Sequence, residues 1–501
     1  MSPQRRNFCV LAAALSLFLA PPAAQAGEVL VVGGGKPPVW RDDPHVREAF
    51  AAPEPALASS RTAPAARAAG PRRRRAKAVR RSLRKALRSG ELGRARYREY
   101  LRVYNRARSV DRRLGGPRAA QLSPVIATLE AIALQGRLNP SRMPALFLQL
   151  RRNTQYWPSK PFLASGDRVS FRGSEMLFEY YAGQGLQIQP LGNFGKANGM
   201  ISSCLGIFDA PCRREGIRTL LREMSEIAVD RGSFIAWEYL FAFGGGSPPW
   251  ISGMAQATGI QALARAGELL DEPAFTEKAR QGLGAFRRRA PLGVRTRGPD
   301  GGVHYLQYSF APGLYIVNAF AQTVTGLYDY WDLTGDAEAE ALWRTGDREL
   351  RREVPHHDIG DWSLYSRGGG ESTYEYHELL RGFLRNLCER IEAEVYCATA
   401  KRFASYMRDP AELEFRGPAR ARRGKTTQVR FYVSKLAGVQ LDIMQNGEVR
   451  YTQTLTFRRG AHSFAWKPAG RGFFRVRLGS KELRTGKGLK TKAYGEIEVL
   501  G

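Results

Sequence analysis

The sequence predicts a mainly α-helical protein, an α/α toroid or incomplete α/α barrel, followed by a small antiparallel β-sandwich. Two textures carry that expectation. From Leu122 to about Arg408 the chain reads as successive amphipathic helices separated by loops rich in Gly, Pro and aromatic residues. After Asp409-Pro410 it changes to short alternating runs punctuated by turn residues. Helical hairpins whose aromatic loops gather at one end are how a toroid looks in sequence, and such loops would line a groove suited to a chain-like substrate. A third observation is charge: the 501 residues hold 77 Lys and Arg against 47 Asp and Glu, a formal +30. Such a field favours anionic partners, whether acidic polysaccharide, nucleic acid or an anionic envelope surface.

The elements follow in order. Arg5-Arg6, the apolar run Phe8 to Leu19 and the small-residue pattern Ala24-Gln25-Ala26 predict a signal peptide over 1–26, with a twin-arginine route as an alternative to the ordinary secretory one. The mature protein is thus expected outside the cytoplasm, extracellular or in a prokaryotic cell envelope. Residues 27–70 form an Ala/Pro-rich linker. Its Val31-Val32-Gly33-Gly34-Gly35 superficially resembles a nucleotide-binding turn, but no βαβ pattern follows. Residues 71–120 form a basic helical arm, in which Val79, Leu83 and Leu87 keep helical spacing. Arg61 to Arg113 holds 20 basic and 3 acidic residues, so +17 of the +30 lies there. The arm could lie on an anionic envelope surface, or be a surface helix packed on the next domain.

The helical domain is placed at 121–409. Its expected helices run from Pro124 to Leu134, Met143 to Leu150, Met176 to Tyr181, Arg213 to Ala228, Met254 to Leu270, Pro273 to Phe286, Leu314 to Leu333, Ala337 to Leu350, Tyr376 to Ile391 and Val395 to Tyr406. Residues 410–501 are expected to form an Ig-like sandwich, with Gln445-Asn446-Gly447 and Pro468-Ala469-Gly470 as turns. With Cys9 removed in the signal, Cys204, Cys212, Cys388 and Cys397 remain. In an oxidising compartment they predict two disulfides, the sequence-local pairs Cys204 with Cys212 and Cys388 with Cys397 foremost among three connectivities. No Cys/His spacing suits zinc, and no metal or other cofactor is expected.

Chemistry concentrates in Ile359 to Glu378, IGDWSLYSRGGGESTYEYHE. Three consecutive glycines, Gly368 to Gly370, make this a loop running into a helix, and loops of that kind carry function. Tyr365, Arg367, Tyr376 and His377 stand around it. Phenols beside a guanidinium suit proton transfer at a carbon next to a carboxylate: the Arg neutralises the acid and the Tyr moves the proton. The alternative is a Gly-rich surface turn with aromatic anchors. Tyr181, Gln187, Gln189, Asn193 and Lys196 are candidate partners for sugar hydroxyls or acidic groups, and Trp250 and Tyr305 for stacking on pyranose faces.

Several motifs resemble the catalytic domain of the D-glucuronyl C5-epimerases and occur in the same order: Gly183 to Asn193, Pro249 to Gly259, Tyr305-Leu306-Gln307-Tyr308, Val317-Asn318-Ala319-Phe320, Thr325 to Asp329, Trp362 to Arg367 and Tyr374 to His377. The likeness spans roughly 180–385. It implies a largely α/α enzyme that inverts C5 of glucuronate within a heparosan-like chain, giving iduronate, with Tyr308, Tyr365 and Tyr376 as catalytic tyrosines and Arg367 holding the uronate carboxylate. It also gives reason to expect a homodimer. Gln307 stands where the family has a glutamate, and an amide cannot act as base; Leu380 stands where it has a second histidine. The chemistry then rests on tyrosines, with Glu371, Glu375 or His377 as substitutes, or the activity is altered or lost. The competing functions are a uronate lyase and a catalytically inactive glycan-binding envelope protein. No nucleic acid is expected as a partner, since the arm carries no recognised reading module.

Overall fold

The computed structural model describes residues 28–31, 39–42, 69–488 and 490–501, with side chains from 73 onward. The expected signal peptide and most of the linker lie outside the described residues. Strands β1 (Glu28–Val31) and β2 (Val39–Asp42) pair antiparallel. By internal contacts the described residues divide into two compact units, one holding residues 69–352 and the other residues 28–31 and 39–42 with those from 353 onward.

The first unit begins with α1 (Ala69–Arg88), α2 (Arg94–Arg113), α3 (Gly116–Leu134) and α4 (Met143–Tyr156). The apolar stripe of α1, Ala76, Val79, Leu83 and Ala86, is buried, and α1 packs on α3 as α2 packs on α4. Burying a Val or Leu side chain contributes about 1.5–3 kcal/mol, so the basic segment is docked through its apolar face.

Next come β3 (Arg168–Ser170), β4 (Leu177–Tyr181) and β5 (Gly185–Ile188), an antiparallel sheet in that order. The helix expected from Met176 to Tyr181 is therefore a strand. Gly183 and Gly185 take φ of +73° and +77°, which folds the chain back and pairs Phe178 with Ile188, Glu179 with Gln187 and Tyr180 with Leu186. A Cβ at Gly185 would also stand 2.6 Å from the Gln121 carbonyl oxygen.

The rest of this unit is built on α5 (Pro190–Cys204), α6 (Arg214–Glu226), β6 (Val229–Asp230), β7 (Ile235–Ala236), α7 (Gly253–Leu270), α8 (Pro273–Gly282), α9 (Gly284–Arg287), β8 (Arg295–Arg297), β9 (Val303–Tyr305), α10 (Val317–Thr334) and α11 (Ala337–Glu353). Helix α7 is buried nearly all round and packs against α5, α6, α8 and α10. Small residues allow that approach. A Cβ at Gly259 would meet the Phe194 ring at 2.6 Å, and one at Gly326 would meet the Ala257 carbonyl oxygen at 2.6 Å. Ser252 caps α7 by accepting the Ala255 N–H at 3.2 Å. The Cys204–Cys212 disulfide closes the end of α5.

In the second unit a 3₁₀ turn (Val354–His357) leads through the Gly-rich segment into α12 (Tyr374–Ile391) and α13 (Glu394–Arg408), which the Cys388–Cys397 disulfide joins. Both expected pairs are formed. Closing loops of 8 and 9 residues restricts the unfolded chain by about 2.5 kcal/mol each in the chain-entropy account.

The strands that follow are β10 (Leu413–Phe415), β11 (Arg420–Arg422), β12 (Thr427–Val433), β13 (Ala437–Gln445), β14 (Glu448–Phe457), β15 (Gly460–Trp466), β16 (Gly472–Glu482) and β17 (Lys490–Leu500). They form sheets of order β10-β12-β15 and β11-β17-β16-β13-β14. Val429, Phe431, Val433 and Phe464 of the first sheet share one core with Leu441, Ile443, Val476, Leu478 and Ile497 of the second. Asn446 and Gly447, at φ +53° and +84°, make the left-handed two-residue turn between β13 and β14. Buried Lys435 donates to the Ser405, Tyr406 and Asp409 carbonyls at the end of α13 and satisfies acceptors that the helix leaves open.

Candidate active site

In the first unit the site residues gather around the start of α7. Residues 237–243, WEYLFAF, alternate so that Tyr239, Phe241 and Phe243 join one aromatic cluster. Tyr239 and Trp250 exchange backbone hydrogen bonds of 2.8 and 3.2 Å, and their rings stack at 4.1 Å with 2° between planes. Trp250 is locked further by its indole N–H, which donates to the Phe241 carbonyl at 2.9 Å. Tyr308 lies edge-on to Trp250 at 5.6 Å and near Phe243 at 5.5 Å and Phe310 at 5.6 Å. Tyr181 joins through Phe241 at 4.3 Å. Trp250 and Tyr308 are buried and Tyr181 is largely enclosed, whereas Phe243 and Phe310 reach solvent at the edge of the cluster.

A polar edge runs beside the rings. Arg168 binds Glu179 at 3.0 Å. Burial, reinforced by the Glu179 carboxylate, pushes the Tyr181 phenol well above its ordinary value, and burial does the same to Tyr239. The Tyr239 hydroxyl donates to Gln189 Oε1 at 3.4 Å, while Gln189 also caps α5 by accepting the Gly192 N–H at 2.9 Å. Gln187 is buried; its amide nitrogen donates to the Gln184 carbonyl, and its Oε1 has no hydrogen-bond partner among the described residues. Gln307 accepts from the Ser252 hydroxyl at 3.1 Å, which ties the residue beside Tyr308 to the cap of α7.

The structure uses some predicted contact residues as internal framework. Tyr305 is 1% exposed, packs on Phe286 and Phe320, and donates to the Leu342 carbonyl at 2.9 Å. Asn193 clasps β4, accepting the Leu177 N–H at 2.8 Å and donating to its carbonyl at 2.9 Å. Lys196 is paired with Glu175 at 2.7 Å.

In the second unit the Gly-rich segment is a tight hairpin. Ser372 N–H reaches the Ser363 carbonyl at 2.8 Å, Tyr365 N–H the Gly370 carbonyl at 2.9 Å, and Gly369 N–H the Ser366 carbonyl at 3.0 Å. Gly368, at φ +70°, makes the reversal at the tip beside half-exposed Arg367. Thr373 caps α12 through the Tyr376 N–H at 3.3 Å, so Tyr376 stands in the first turn. Its ring lies 5.0 Å from that of Tyr365.

His377 supports this hairpin from inside. It stacks on Trp362 at 3.8 Å, and Nε2 lies 3.1 Å from the Phe403 carbonyl, which can only accept. Nε2 therefore carries the proton, and Nδ1 accepts from the Ser363 hydroxyl at 2.8 Å. Burial pushes the imidazole down to about 3, so it is neutral. Behind the hairpin, Arg484 bridges Asp361 at 2.6 Å and Glu371 at 2.8 Å, Arg458 also pairs with Glu371, and the Arg484 guanidinium lies over Trp362 at 5.4 Å. These acids and arginines line a polar cavity of about 430 Å³ together with Tyr432 and Arg459.

Sequence reasoning missed Tyr239, Phe241, Phe243 and Phe310, although the alternation of residues 237–243 was a usable signal. It also missed Arg168 and Glu179, which meet across the β3–β4 pairing, and Asp361, Arg458 and Arg484, whose partners lie far away in sequence.

A family model described as the D-glucuronyl C5-epimerase C-terminus matches residues 231–405. That segment is thus similar to the C-terminal domain of the C5-epimerases. It contains Trp250, Tyr308, Tyr365, Arg367, Tyr376 and His377, whereas Tyr181, Gln187 and Asn193 precede it. The D-glucuronyl C5-epimerase of Caenorhabditis elegans is 26% identical over 178 residues, covering 32% of this chain and 29% of that protein. An uncharacterized protein of Methanocaldococcus jannaschii is 24% identical over 188 residues, covering 36% of this chain and 61% of that one. The chain thus spans less than two thirds of either relative. Among solved structures, a GH76 α-mannanase of Bacteroides thetaiotaomicron overlaps at 12% identity and TM-score 0.31, with 44% of this chain and 59% of that one covered. An endo-β-1,4-glucanase of Acetobacter xylinum overlaps at 16% identity and TM-score 0.31, with 46% and 71% covered. Overlaps of that quality carry no argument about the fold.

Proposed function

We propose that the protein is an exported isomerase that inverts C5 of glucuronic acid residues in an acidic polysaccharide, on an incomplete α/α toroid. The observation that carries this reading is the pair of phenols, Tyr365 on the hairpin and Tyr376 in the first turn of α12, with their rings 5.0 Å apart beside the turn that bears Arg367. The C5 proton is α to a carboxylate. Its removal leaves an enediolate whose charge must be neutralised, and inversion requires that a proton return to the opposite face.

Each residue has a role in that sequence. Arg367 binds the uronate carboxylate and stabilises the enediolate as charge develops. One phenol acts as phenolate and takes the C5 proton; a second, still protonated, delivers one from the other face, and the two exchange roles in the reverse direction. Holding a phenolate at neutral pH means lowering a reference value of about 10 by some 3 units, roughly 4 kcal/mol. A neighbouring guanidinium favours the phenolate, and the positive end of α12 adds about 0.3–1 kcal/mol for charge at Tyr376. The aromatic cluster around Trp250, opened by Phe243 and Phe310, offers apolar faces for pyranose C–H surfaces.

The test is deuterium incorporation at C5 when uronate polymers are incubated with the protein in heavy water. Tyr365→Phe with Tyr376→Phe should abolish incorporation and leave polymer affinity within about threefold, whereas Arg367→Ala should weaken both. Incorporation by the double tyrosine variant at the parent rate would refute the assignment. Unsaturated uronate ends with chain cleavage would instead identify a lyase.

A further inference from the structure

The first unit carries a cationic cleft remote in sequence from every residue assigned above. Along α1, Arg73, Lys77, Arg80, Arg84 and Arg88 recur at spacings of three and four, so they share one face over 15 residues, about 22 Å of helix. Arg108 of α2 forms the facing wall, and together they line a concavity of about 440 Å³. The five α1 side chains are exposed, and none makes an ion pair with a described carboxylate. Arg80 donates to the neutral Asn105 amide at 3.2 Å, and Arg108 lies 3.9 Å from Glu130. Mutual repulsion of this kind raises the energy of the unliganded protein, and a bound polyanion relieves it.

We infer that this cleft is a docking groove for a run of the acidic polysaccharide, engaging carboxylate or sulfate groups of sugars outside the reacting unit. The inference rests on the proposed polysaccharide substrate and extends it to a second subsite. Four features favour a glycan over other polyanions. A helix that lies on a membrane needs an apolar face to insert, and α1 has already used Ala76, Val79, Leu83 and Ala86 to pack inward. Single-stranded nucleic acid is held by exposed aromatic platforms, and none lines the cleft. Duplexes are entered by convex elements, whereas these cations line a concavity. Guanidinium forks match carboxylate and sulfate oxygens two at a time, and Arg supplies all but one of these positions.

The experiment compares two triple variants of the full chain with equal change in net charge. Lys77→Glu, Arg84→Glu and Arg88→Glu invert the cleft. Arg74→Glu, Arg75→Glu and Lys85→Glu invert exposed positions of the same helix that do not line it. Binding is measured by calorimetry against heparosan, phosphatidylglycerol vesicles and a 20-base-pair DNA duplex, over a salt series. The cleft variant should bind heparosan about tenfold or more weaker with a shallower salt dependence, and the control should stay within about threefold. Equal losses in both variants would reduce the cleft to a diffuse field and overturn the inference, as would cleft-dependent binding of vesicles or duplex without heparosan. Deuterium exchange is read in parallel. Exchange with undiminished heparosan binding by the cleft variant defeats the docking groove alone, while cleft-dependent binding without exchange defeats the isomerase reading alone.

Discussion

Replacing Arg484 by Met tests whether the Gly-rich hairpin is held by a buried charge cluster. The Arg484 side chain is 3% exposed and its partners Asp361 and Glu371 are 4% and 6% exposed, so all three charges are withdrawn from water. Removing the cation leaves two carboxylates behind, of which Glu371 retains Arg458 and Asp361 retains the Leu436 N–H at 3.2 Å. Breaking a buried pair in this way costs about 3–5 kcal/mol, because the remaining charge is uncompensated. For a protein region of this size each kcal/mol moves the midpoint by about 2–4 °C, so the transition that includes the second unit should fall by roughly 6–20 °C. The assay is thermal unfolding followed by tryptophan fluorescence, with Trp362 beneath the Arg484 guanidinium as reporter. Arg484→Lys keeps the charge but loses the fork and should lie between parent and Met variant. The triple variant Arg484→Met, Asp361→Asn, Glu371→Gln removes the charges together and should recover at least half of the loss. A cost below about 1 kcal/mol for Arg484→Met would refute the reasoning, and a triple variant no better than the single one would assign the loss to packing.

Two other outcomes follow from the same framework. His377 is held down to about 3 when folded by its burial, against about 6.5 when unfolded, so below pH 6.5 the unfolded chain takes a proton that the folded one refuses. Stability of the second unit should therefore be full above pH 6.5 and decline as pH falls toward 3, by up to about 5 kcal/mol in total, and His377→Phe should flatten that dependence in denaturant titrations at pH 7, 6, 5 and 4. Gln307→Glu can keep the hydrogen bond from Ser252 and restores the residue type of the related enzymes. If tyrosines carry both proton transfers it should leave C5 exchange within about threefold of the parent, and a gain of tenfold or more would show that a carboxylate base had been missing.

Most of the helical register was legible because apolar periodicity and caps act locally. Gly253–Leu270, Val317–Thr334 and Glu394–Arg408 differ from expectation by only a few residues. Leu177–Tyr181 misled because its hydrophobic run is too short to separate strand from helix by period; the deciding information lay in Gly183 and Gly185, whose positive φ turns the chain back. Pro190–Cys204 went unrecognised because Gly192, Gly195 and Gly199 disfavour a helix in isolation. In the fold Gln189 caps it, and Phe194 within it fits against Gly259 of the central helix. The strand Lys490–Leu500 was missed because it opens on Lys490-Thr491-Lys492 and carries Gly495 and Glu496 at its middle, and pairing with Gly472–Glu482 is what makes it a strand.

The site divides along the same line between local and distant information. Residues that do chemistry must be unusual for their surroundings, so three glycines, two tyrosines and an arginine within a dozen positions mark a loop that packing alone does not require. What holds such a loop still leaves no such mark. Arg484 is one arginine among many in a strongly basic chain, and its partners Asp361 and Glu371 lie 123 and 113 residues away. His377 shows the converse. Its place beside Tyr376 gave it the look of a ligand, yet two hydrogen bonds and a stacked indole make it a neutral strut between Ser363 and Phe403. A proton-transfer group must titrate near working pH and meet substrate, while a strut must do neither, and in His377 burial together with two engaged ring nitrogens marks the strut. The same criterion separates Tyr305, enclosed with its hydroxyl on a backbone carbonyl, from Tyr376, half-exposed in the first turn of a helix. Both were tyrosines in motifs of the same family, so the motif placed them and the environment assigned their work.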